Sequence, residues 1–431
     1  MSTTFKASKV YYQNEFHSDL NFSVEKGVIS SISPQGGGSK IVDLGNVAVL
    51  PGLVNSHNHS FQSLVRGFGD DKTFFEWRDQ GIYKFSKCLD AHGIYVGALL
   101  AFGEMLRNGV TTVCDFFYIH NHSNENDRAV IRAAKELGIR LVLARTMYDW
   151  KGAPESYQES VQESADRCRE LYSEFKSVPM ISIIPAPHSP HAASPQMIEA
   201  GAKLAEELNT PFHIHVAEGE YERKMTLEKY GVTPVRYLDQ LGVFNSRLVM
   251  IHGVWLDEGE LDLMAERGVK LSYNPSSNMF LGDGVTKIRE MLSRNITIAL
   301  GTDGACSNNR TSIIDEMRTT ALLQKVKHLD PTTCTGTQVF DMGTKNGGPV
   351  LGLPIGELKE GMAADFFTID LEDLCLQPPR HLKSHIVYAL TPQAIKDVYV
   401  AGKLVVREGR LETIPETEIT RLVQTVTKEW K

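Results

Sequence analysis

The chain has no long apolar run, no stretch rich in lysine and arginine, and no excess of positive charge. A membrane-spanning helix needs about 20 consecutive apolar residues, and none of the 431 residues begins such a run. The formal net charge is −8, which argues against nucleic acid or an anionic membrane surface as the main partner. The N-terminal residues also lack the charged-then-apolar pattern of a secretory signal. We therefore expect a cytoplasmic protein that acts on a small molecule, with a homo-oligomer left open.

Cysteine is scarce as well. The chain has 6 cysteines, and no two of them form a Cys-x-x-Cys pair. This spacing argues against a zinc knuckle or a disulfide framework, so we interpret the cysteines as reduced thiols. Apolar residues make up 42% of the chain and charged residues 23%, as in ordinary globular proteins. The length of 431 residues suits a barrel of about 250 residues with an additional small domain.

Short segments of alternating apolar and polar residues occur at both ends of the chain. The N-terminal segments span residues 5–12, 19–24 and 28–32, and the C-terminal ones span residues 365–370, 385–390 and 395–407. Neither group is large enough to bury a core alone. We predict one β-sandwich domain composed of residues 1–50 and 359–431. The alternative is two unrelated β-tails.

Between the two ends, strand-like and helix-like segments alternate. The predicted strands span residues 47–54, 111–117, 140–145, 180–185, 211–216, 248–254, 269–273 and 297–300. The predicted helices include residues 126–137, 195–208, 233–241, 258–267 and 285–294. Eight strands that alternate with helices predict an α/β fold, a (β/α)8 TIM barrel over residues 51–358.

Histidines cluster where the predicted strands end. The first strand leads into His57 and His59, whose side chains share one face because they lie two positions apart. Such a pair either holds a metal ion or forms a polar strand end. Nine of the 14 histidines lie at or just beyond a strand end: His57, His59, His120, His122, His188, His191, His213, His215 and His252. Because barrel enzymes place their chemistry at these ends, the clustering favours a metal site.

Several motifs, in order along the chain, resemble the amidohydrolase superfamily. They are Pro51-Gly-Leu-Val-Asn-Ser-His-Asn-His59, His215-Val-Ala-Glu218, Ile251-His252-Gly253, the segment 272–278, Gly301-Thr-Asp303, and the segment 356–365 that leads back to the sandwich. Within the superfamily, the chain most resembles the metal-dependent branch of nucleobase deaminases and chlorotriazine hydrolases, which includes S-adenosylhomocysteine deaminase. The match extends over nearly the whole chain.

The resemblance implies a metal site made of His57, His59, His215 and Asp303. Neutral imidazoles with one carboxylate suit Zn²⁺, or alternatively Fe²⁺. A zinc-bound water has its pKa pulled towards about 7, so that hydroxide is available at neutral pH. His213 shares a strand face with His215 but lies deeper, and we interpret it either as a core residue or as one that packs behind the ligands.

The resemblance also implies the residues that move protons. Glu218 is expected to protonate the substrate and the leaving amine, or alternatively to be a surface residue favoured by a helix dipole. His252 matches the family histidine that orients the attacking water, and Asp303 accepts a proton as well as binding the metal. Binuclear members carry a carboxylated lysine at the end of the fourth strand. Residues 180–188 contain no lysine, so we expect one metal ion.

Other segments resemble N-formimino-L-glutamate iminohydrolase: residues 60–62, 75–78, 115–120 and 281–284. In that family, the positions that match Gln62, Arg78, Tyr118 and His188 contact the substrate. His191 stands where that family has an arginine for a substrate carboxylate, which puts formiminoglutamate itself in doubt. For each of these residues a structural role is the alternative, and Arg78 has Asp70, Asp71 and Glu76 nearby in sequence as possible ion-pair partners.

These observations predict a mononuclear metal-dependent hydrolytic deaminase. Its expected reaction is the release of ammonia from an amidine-like carbon, in an aminated heterocycle such as a purine, pterin or triazine, or in a formimino or guanidino compound. The alternatives within the fold are dechlorination or dealkylamination of a triazine-like ring, and N-formimino-L-glutamate iminohydrolase activity. From a different class, the alternative is a catalytically dead barrel that only binds its ligand.

Overall fold

Strands from both ends of the chain form two sheets beside a central barrel. The computed structural model describes residues 2–430. The N-terminal strands are β1 (Thr3–Lys6), β2 (Lys9–Tyr12), β3 (Glu15–His17), β4 (Asn21–Glu25), β5 (Val28–Ser33), β6 (Lys40–Asp43) and β7 (Val47–Pro51). The C-terminal strands are β16 (Phe366–Asp370), β17 (Ile395–Val400), β18 (Lys403–Arg407) and β19 (Arg410–Leu411).

The larger of these two sheets contains strands from both termini. Its order is β19-β18-β17-β16-β7-β2-β3, while β5-β4-β1-β6 form the smaller sheet. Strand β16 runs antiparallel to β7, with Thr368 opposite Val49. Aromatic rings fill the space between the sheets: Phe5 lies 5.1 Å from Phe366, and Phe366 stacks on Tyr399 at 4.5 Å between ring centroids. The division of the chain at residues 50 and 359 stays a prediction.

The single strand predicted over residues 47–54 is in fact two strands. Its first part, β7, belongs to the larger terminal sheet, and its second part, β8 (Leu53–Asn58), belongs to the barrel. Pro51 has no N–H to continue a ladder, and the N–H of Gly52 donates to the carbonyl of Asp365 at 2.9 Å. A Cβ at Gly52 would come within 2.1 Å of the Thr111 hydroxyl. The chain therefore changes sheets at this glycine.

The strand-like segment predicted at residues 385–390 is also wrong, because the structure has a helix there, α15 (Leu382–Tyr388). The helix buries Leu382, Ile386 and Val387. Leu382 and Ile386 lie four positions apart, on one face of a helix. A short apolar run fits either a strand or a buried helix, and here packing selects the helix.

The eight remaining strands run parallel to one another. They are β8, β9 (Val110–Phe117), β10 (Arg140–Met147), β11 (Ile181–Pro187), β12 (Phe212–Val216), β13 (Leu248–His252), β14 (Lys270–Tyr273) and β15 (Ile298–Leu300). They form two four-stranded sheets, β8–β11 and β12–β15. The sheets join at both edges: His215 donates its N–H to the carbonyl of His188 at 3.0 Å, and Asp303 donates to that of His57 at 3.0 Å. The predicted (β/α)8 barrel is confirmed.

Helices connect the strands and cover the barrel. They are α1 (Phe74–Glu76), α2 (Lys84–Ser86), α3 (Ala91–Arg107), α4 (Glu125–Leu137), α5 (Val161–Phe175), α6 (Pro195–Glu207), α7 (Glu220–Tyr230), α8 (Pro234–Gln240), α9 (Glu258–Arg267), α10 (Pro275–Phe280), α11 (Ile288–Ser293), α12 (Ile313–His328), α13 (Gly336–Gly343), α14 (Gly347–Leu351), α15 and α16 (Glu416–Val426). A π-helical turn, Trp77–Tyr83, separates α1 from α2.

Local sequence explains where several of these helices begin and end. Asp257 and Glu260 form a capping box at the start of α9, a pattern typical of helix N-termini. Gly268 ends that helix in the left-handed conformation, which glycine adopts easily.

Among residues 2–430, no helix combines the length and apolar character needed to cross a bilayer.

Candidate active site

A pocket of about 300 Å³ opens at the C-terminal ends of the barrel strands. Every residue predicted for the site lines it, except His57, which lies fully buried. The predicted residues in the lining are His59, Gln62, Arg78, Tyr118, His188, His191, His215, Glu218, His252 and Asp303. Residues from the ends of six different strands, and from the loops after them, thus converge in one place.

The residues predicted as metal ligands meet at the floor of this pocket. Nε2 of His57 lies 3.3 Å from Oδ1 of Asp303, and Nε2 of His59 lies 3.2 Å from the same oxygen. Side-chain donor atoms of His57, His59 and Asp303 all lie within 4.8 Å of one another, and so do those of His57, His215 and His252. His57 belongs to both groups and joins them.

Hydrogen bonds orient these imidazoles. Nδ1 of His59 lies 2.6 Å from the carbonyl of Phe116, and Nδ1 of His215 lies 2.9 Å from that of His188. Each Nδ1 therefore carries the proton, which leaves the Nε2 lone pair free to bind a metal. Nδ1 of the buried His57 has no hydrogen-bond partner among residues 2–430, and its Nε2 faces Asp303. This set of donors fits a divalent ion of the zinc type.

Two serine hydroxyls hold the Asp303 carboxylate through the oxygen that does not face the imidazoles. Its Oδ2 accepts hydrogen bonds from the hydroxyls of Ser277 at 2.6 Å and Ser307 at 3.1 Å, so that Oδ1 faces the imidazoles. Burial alone would raise the pKa of Asp303, but the neighbouring imidazoles of His57 and His59 hold it well below its usual value. The carboxylate therefore stays charged, as a metal ligand must.

The backbone is strained where the strands end at the site. Ala217 has φ of 55°, His252 has φ of 73° and Asp303 has φ of 57°. Residues with side chains rarely adopt this left-handed conformation, and such strain concentrates at functional sites. The surrounding structure thus fixes the direction of three of the loops around the pocket.

A carboxylate that the sequence did not single out positions His59. Asp115 on β9 accepts hydrogen bonds from Asn58 Nδ2 at 3.0 Å, from the N–H of Ser60 at 2.6 Å and from its hydroxyl at 2.7 Å. It therefore binds both neighbours of His59. Burial raises the pKa of Asp115 to about 6 despite these bonds. Its position on the strand beside the His-x-His motif was the available signal.

Glu218 and His252 face each other across the floor of the pocket, with 3.5 Å between Oε1 and Nε2. Nδ1 of His252 lies 2.7 Å from Oδ1 of Asn278, so Nδ1 carries the proton and Nε2 faces Glu218. Burial raises the pKa of Glu218 above its usual value. A carboxyl group whose pKa moves towards neutrality is suited to both accepting and donating protons.

Arg78 lies in the outer part of the pocket within a group of aromatic rings. Its guanidinium carbon lies 5.1 Å from the Phe75 ring, 5.2 Å from Tyr83 and 5.5 Å from Trp150, within the range of cation–π contacts. Its Nε donates to Asp79 at 2.7 Å. The acid beside Arg78 is therefore Asp79.

Two of the three acids considered as partners for Arg78 from sequence have other partners. Asp70 accepts a hydrogen bond from Asn309 at 2.9 Å, and Glu76 binds Thr73 in the capping box of α1. Because Asp79 engages only the Nε side of the guanidinium, the fork of Arg78 is available on its outer edge.

The other predicted pocket residues also present free polar atoms. Gln62 donates to the Tyr118 hydroxyl at 3.0 Å, so the Tyr118 proton is free to point elsewhere, and Oε1 of Gln62 has no partner among the described residues. Nδ1 of His191 is likewise without a partner there. Burial, reinforced by Arg78, lowers the pKa of His191 to about 4. His188 binds the Ser189 hydroxyl through Nδ1 at 3.0 Å.

Besides His57, three of the histidines at strand ends do not line the pocket. His120 is buried between Asp127 and the carbonyl of Thr146, at 2.9 Å from each. His213 lies deeper, with Nδ1 3.7 Å from Sγ of Cys114. His122 is exposed. The histidines of the site all lie near strand ends, but proximity to a strand end does not by itself place a histidine in the pocket.

Aromatic residues that the sequence did not single out form the pocket wall. They are Phe74, Phe75, Trp77, Tyr83, Tyr148, Trp150, Tyr157 and Tyr221. Tyr148, Trp150 and Tyr157 follow β10 in one loop, so several aromatic residues beyond a strand end were the available signal. Flat rings of this kind pack well against planar substrates.

Residues 48–405 match the model of the amidohydrolase family. The chain is 36% identical over 402 residues to the 5'-deoxyadenosine deaminase of Methanothermobacter thermautotrophicus, covering 93% of this chain and 92% of that protein. It is 35% identical over 395 residues to the 5-methylthioadenosine/S-adenosylhomocysteine deaminase of Syntrophobacter fumaroxidans, covering 91% and 88%.

Solved structures share the fold. An adenosine deaminase from Xanthomonas campestris with bound zinc superposes with a TM-score of 0.92 at 28% identity, over 99% of this chain and 98% of that one. An atrazine chlorohydrolase from Arthrobacter aurescens, complexed with zinc, gives a TM-score of 0.92 at 23% identity over 98% and 99%. At that lower identity the likeness shows the fold alone.

Proposed function

This chain belongs to the amidohydrolase family, and on that premise we propose that it is a metal-dependent hydrolytic deaminase that releases ammonia from an aminated heterocycle. One observation carries the proposal: the convergence of His57, His59, His215 and Asp303 beside Glu218 and His252, at the floor of a pocket with aromatic walls. The relatives named as deaminases of adenosine-type compounds agree with this reaction.

We assign the metal site to His57, His59, His215 and Asp303, with one ion per chain. The imidazoles and the charged carboxylate suit Zn²⁺, with Fe²⁺ as the alternative. Such an ion, when bound, supplies a Lewis acid that makes water nucleophilic near neutral pH. Strand β11 carries no lysine that could bridge a second ion, which supports a mononuclear site.

Glu218 is the proposed proton carrier. Its raised pKa and its position 3.5 Å from His252 allow it to take a proton from the attacking water and deliver it to the ring nitrogen next to the reacting carbon. After water adds to that carbon, a second proton converts the amino group into a leaving amine. The C–N bond then breaks, ammonia departs and the ring carbonyl forms. His252 orients the water, and the second proton comes from the hydroxyl left on the carbon, with Asp303 as its acceptor before it reaches the amino group.

The pocket wall supports a planar substrate. Tyr118, Tyr148 and Trp150 present ring faces or edges to the cavity, so a heterocycle can stack there. We assign substrate contacts to Gln62, Arg78, Tyr118, His188 and His191, which line the pocket and carry polar groups suited to ring nitrogens or carbonyl oxygens. Arg78 also favours a second candidate, a formimino or guanidino compound with a carboxylate at its far end.

A screen for ammonia release tests the proposal. Zinc-loaded protein is incubated with purines, adenosine-type nucleosides, pterins, aminotriazines and guanidino acids, and ammonia is measured. We expect release from at least one aminated heterocycle, absent in the Glu218→Gln variant and retained in Glu220→Gln, where the exposed Glu220 pairs with Lys224 on α7. Chloride or alkylamine release without ammonia, or ligand binding without turnover of any compound, contradicts the proposal.

A further inference from the structure

The two oxygens of the Glu218 carboxylate have different partners. Oε1 faces His252 at 3.5 Å, and Oε2 accepts a hydrogen bond from the Tyr221 hydroxyl at 3.3 Å. Among residues 2–430, Tyr221 is the one side chain that donates a hydrogen bond to this carboxylate from the side away from His252. The direction of Oε1 therefore depends on Tyr221.

The local sequence allows this contact. Tyr221 lies in the first turn of α7, three residues after Glu218, and Gly219 lies between them at the start of the helix. A Cβ at position 219 would come within 2.4 Å of the Tyr221 ring. Because Gly219 lacks a side chain, the ring folds back along the chain and its hydroxyl reaches the preceding carboxylate.

Residues from two other loops hold the Tyr221 ring in place. Phe74, in the segment that follows β8, stacks on it with 4.5 Å between ring centroids and 29° between planes. His191, in the loop after β11, contacts it edge-on at 5.6 Å. Tyr221 thus joins the mouth of the pocket, where Phe74 lies, to the carboxylate at its floor.

We propose that Tyr221 is a positioning residue, whose hydroxyl holds the Glu218 carboxylate with Oε1 towards His252 and the reacting carbon, and whose stack on Phe74 sets the position of that hydroxyl. The reaction assigned to Glu218 rests on the function proposed above, whereas the positioning itself is a property of the protein alone. Loss of the hydroxyl frees a buried carboxylate to rotate away from the substrate. Substrate binding, which the aromatic ring supports, is retained.

Kinetics of Tyr221→Phe test the catalytic part of the inference. The substitution keeps the ring and removes one hydrogen bond to a charged group. We expect kcat to fall about tenfold or more, with KM within about twofold and the metal content unchanged. Tyr230→Phe is the matched control, because Tyr230 lies on the same helix, stacks on Tyr237 at 4.0 Å and has a hydroxyl without a partner among the described residues. Its kcat should equal that of the wild type.

A double-mutant cycle tests the role of the stack. Phe74→Leu should lower kcat in the wild-type background, because the Tyr221 hydroxyl loses its fixed position. It should have little further effect on kcat when combined with Tyr221→Phe, since the hydroxyl it positions is already gone. Independent, additive effects of the two substitutions on kcat would overturn the coupling.

Crystal structures of the wild type and Tyr221→Phe test the positioning without any substrate. We expect one Glu218 conformer in the wild type, with Oε1 towards His252, and a rotated or multiple conformer in the variant. An unchanged single conformer in Tyr221→Phe overturns the inference, even if the protein is a deaminase. A changed conformer in a protein that deaminates nothing would leave the positioning intact and reject the proposed function instead.

Discussion

His252 Nε2 lies 3.5 Å from Glu218 Oε1, and the proposed mechanism places the proton transfers at this pair. Asn278 fixes the proton of His252 on Nδ1 at the opposite side of the ring. Nε2 and the carboxylate therefore both face the cavity, with Asp303 beside them in the lining. A reacting carbon bound in the pocket next to both groups would meet a polarising group and a proton carrier at once.

Removal of the Glu218 proton carrier should abolish most of the activity. Glu218→Gln keeps the shape of the side chain but cannot exchange a proton, and general acid–base groups contribute about 10²- to 10⁴-fold. We expect the rate of ammonia release to fall at least about 100-fold, with the metal retained. Steady-state kinetics beside metal analysis measures both. Turnover like that of the wild type would show that another group carries the protons.

Loss of a metal ligand should remove the ion itself. His57→Ala deletes the donor common to both buried groups at the floor of the pocket, and Asp303→Ala deletes the carboxylate of one of them. We expect purified wild-type protein to contain about one transition metal per chain, and both variants to contain much less. His92→Ala, at an exposed position on α3, is the control and should retain the ion. Elemental analysis that finds two tightly bound ions would reject the mononuclear site.

Arg78 should act on binding and in a way that depends on the substrate. Arg78→Met keeps much of the aliphatic stem and removes the fork. Charge-assisted hydrogen bonds contribute about 1.5–3 kcal/mol, so kcat/KM should fall about 10- to 150-fold for substrates with a carboxylate or carbonyl remote from the reacting carbon. For analogues without that oxygen, Arg78→Met should change kcat/KM little. The control is Arg310→Met, at an exposed arginine paired with Asp315, which should leave kcat/KM unchanged for both kinds of substrate. Equal effects of Arg78→Met on both kinds of substrate would show that Arg78 does not belong to the site.

His191 should make the folded protein less stable in mild acid. Burial lowers the pKa of His191 to about 4 from its usual value of 6.5, so the folded state binds fewer protons than the unfolded state between these values. Stability is therefore full above pH 6.5 and falls as the pH decreases towards 4. His191 should therefore lower the free energy of unfolding by about 1–2 kcal/mol between pH 7 and pH 5. Urea unfolding at both pH values should show a smaller loss for His191→Gln, and an equal loss would contradict the assignment.

The barrel and the grouping of site residues were predictable because local sequence encodes them. Each barrel strand ends near a polar or histidine-containing loop, and parallel strands bring such ends together, so His57 and Asp303 meet despite their distance in sequence. The break at Gly52 was not predictable, because it depends on Thr111 of a neighbouring strand. The pairing of Arg78 with Asp79 depends on how a long loop folds over the barrel.

The contacts that orient the site are likewise tertiary. Asp115 binds Asn58 and Ser60 across two strands, and a lone aspartate in an apolar strand does not reveal such partners. Tyr221 reaches Glu218 only because Phe74 and Gly219 shape its position. The residue types predicted the chemistry, whereas packing between loops determines the orientation of the reacting groups.

The most direct test of the account is a titration of metal-free protein with Zn²⁺, followed by the rate of ammonia release from the heterocycle that the screen identifies. Chelator removes the ion, and zinc is returned in known amounts per chain. The account predicts negligible activity without metal and a linear rise that ends at about one equivalent, as expected for a site with three histidines and one carboxylate. Full activity in the metal-free protein, or a rise that continues to two equivalents, would contradict it.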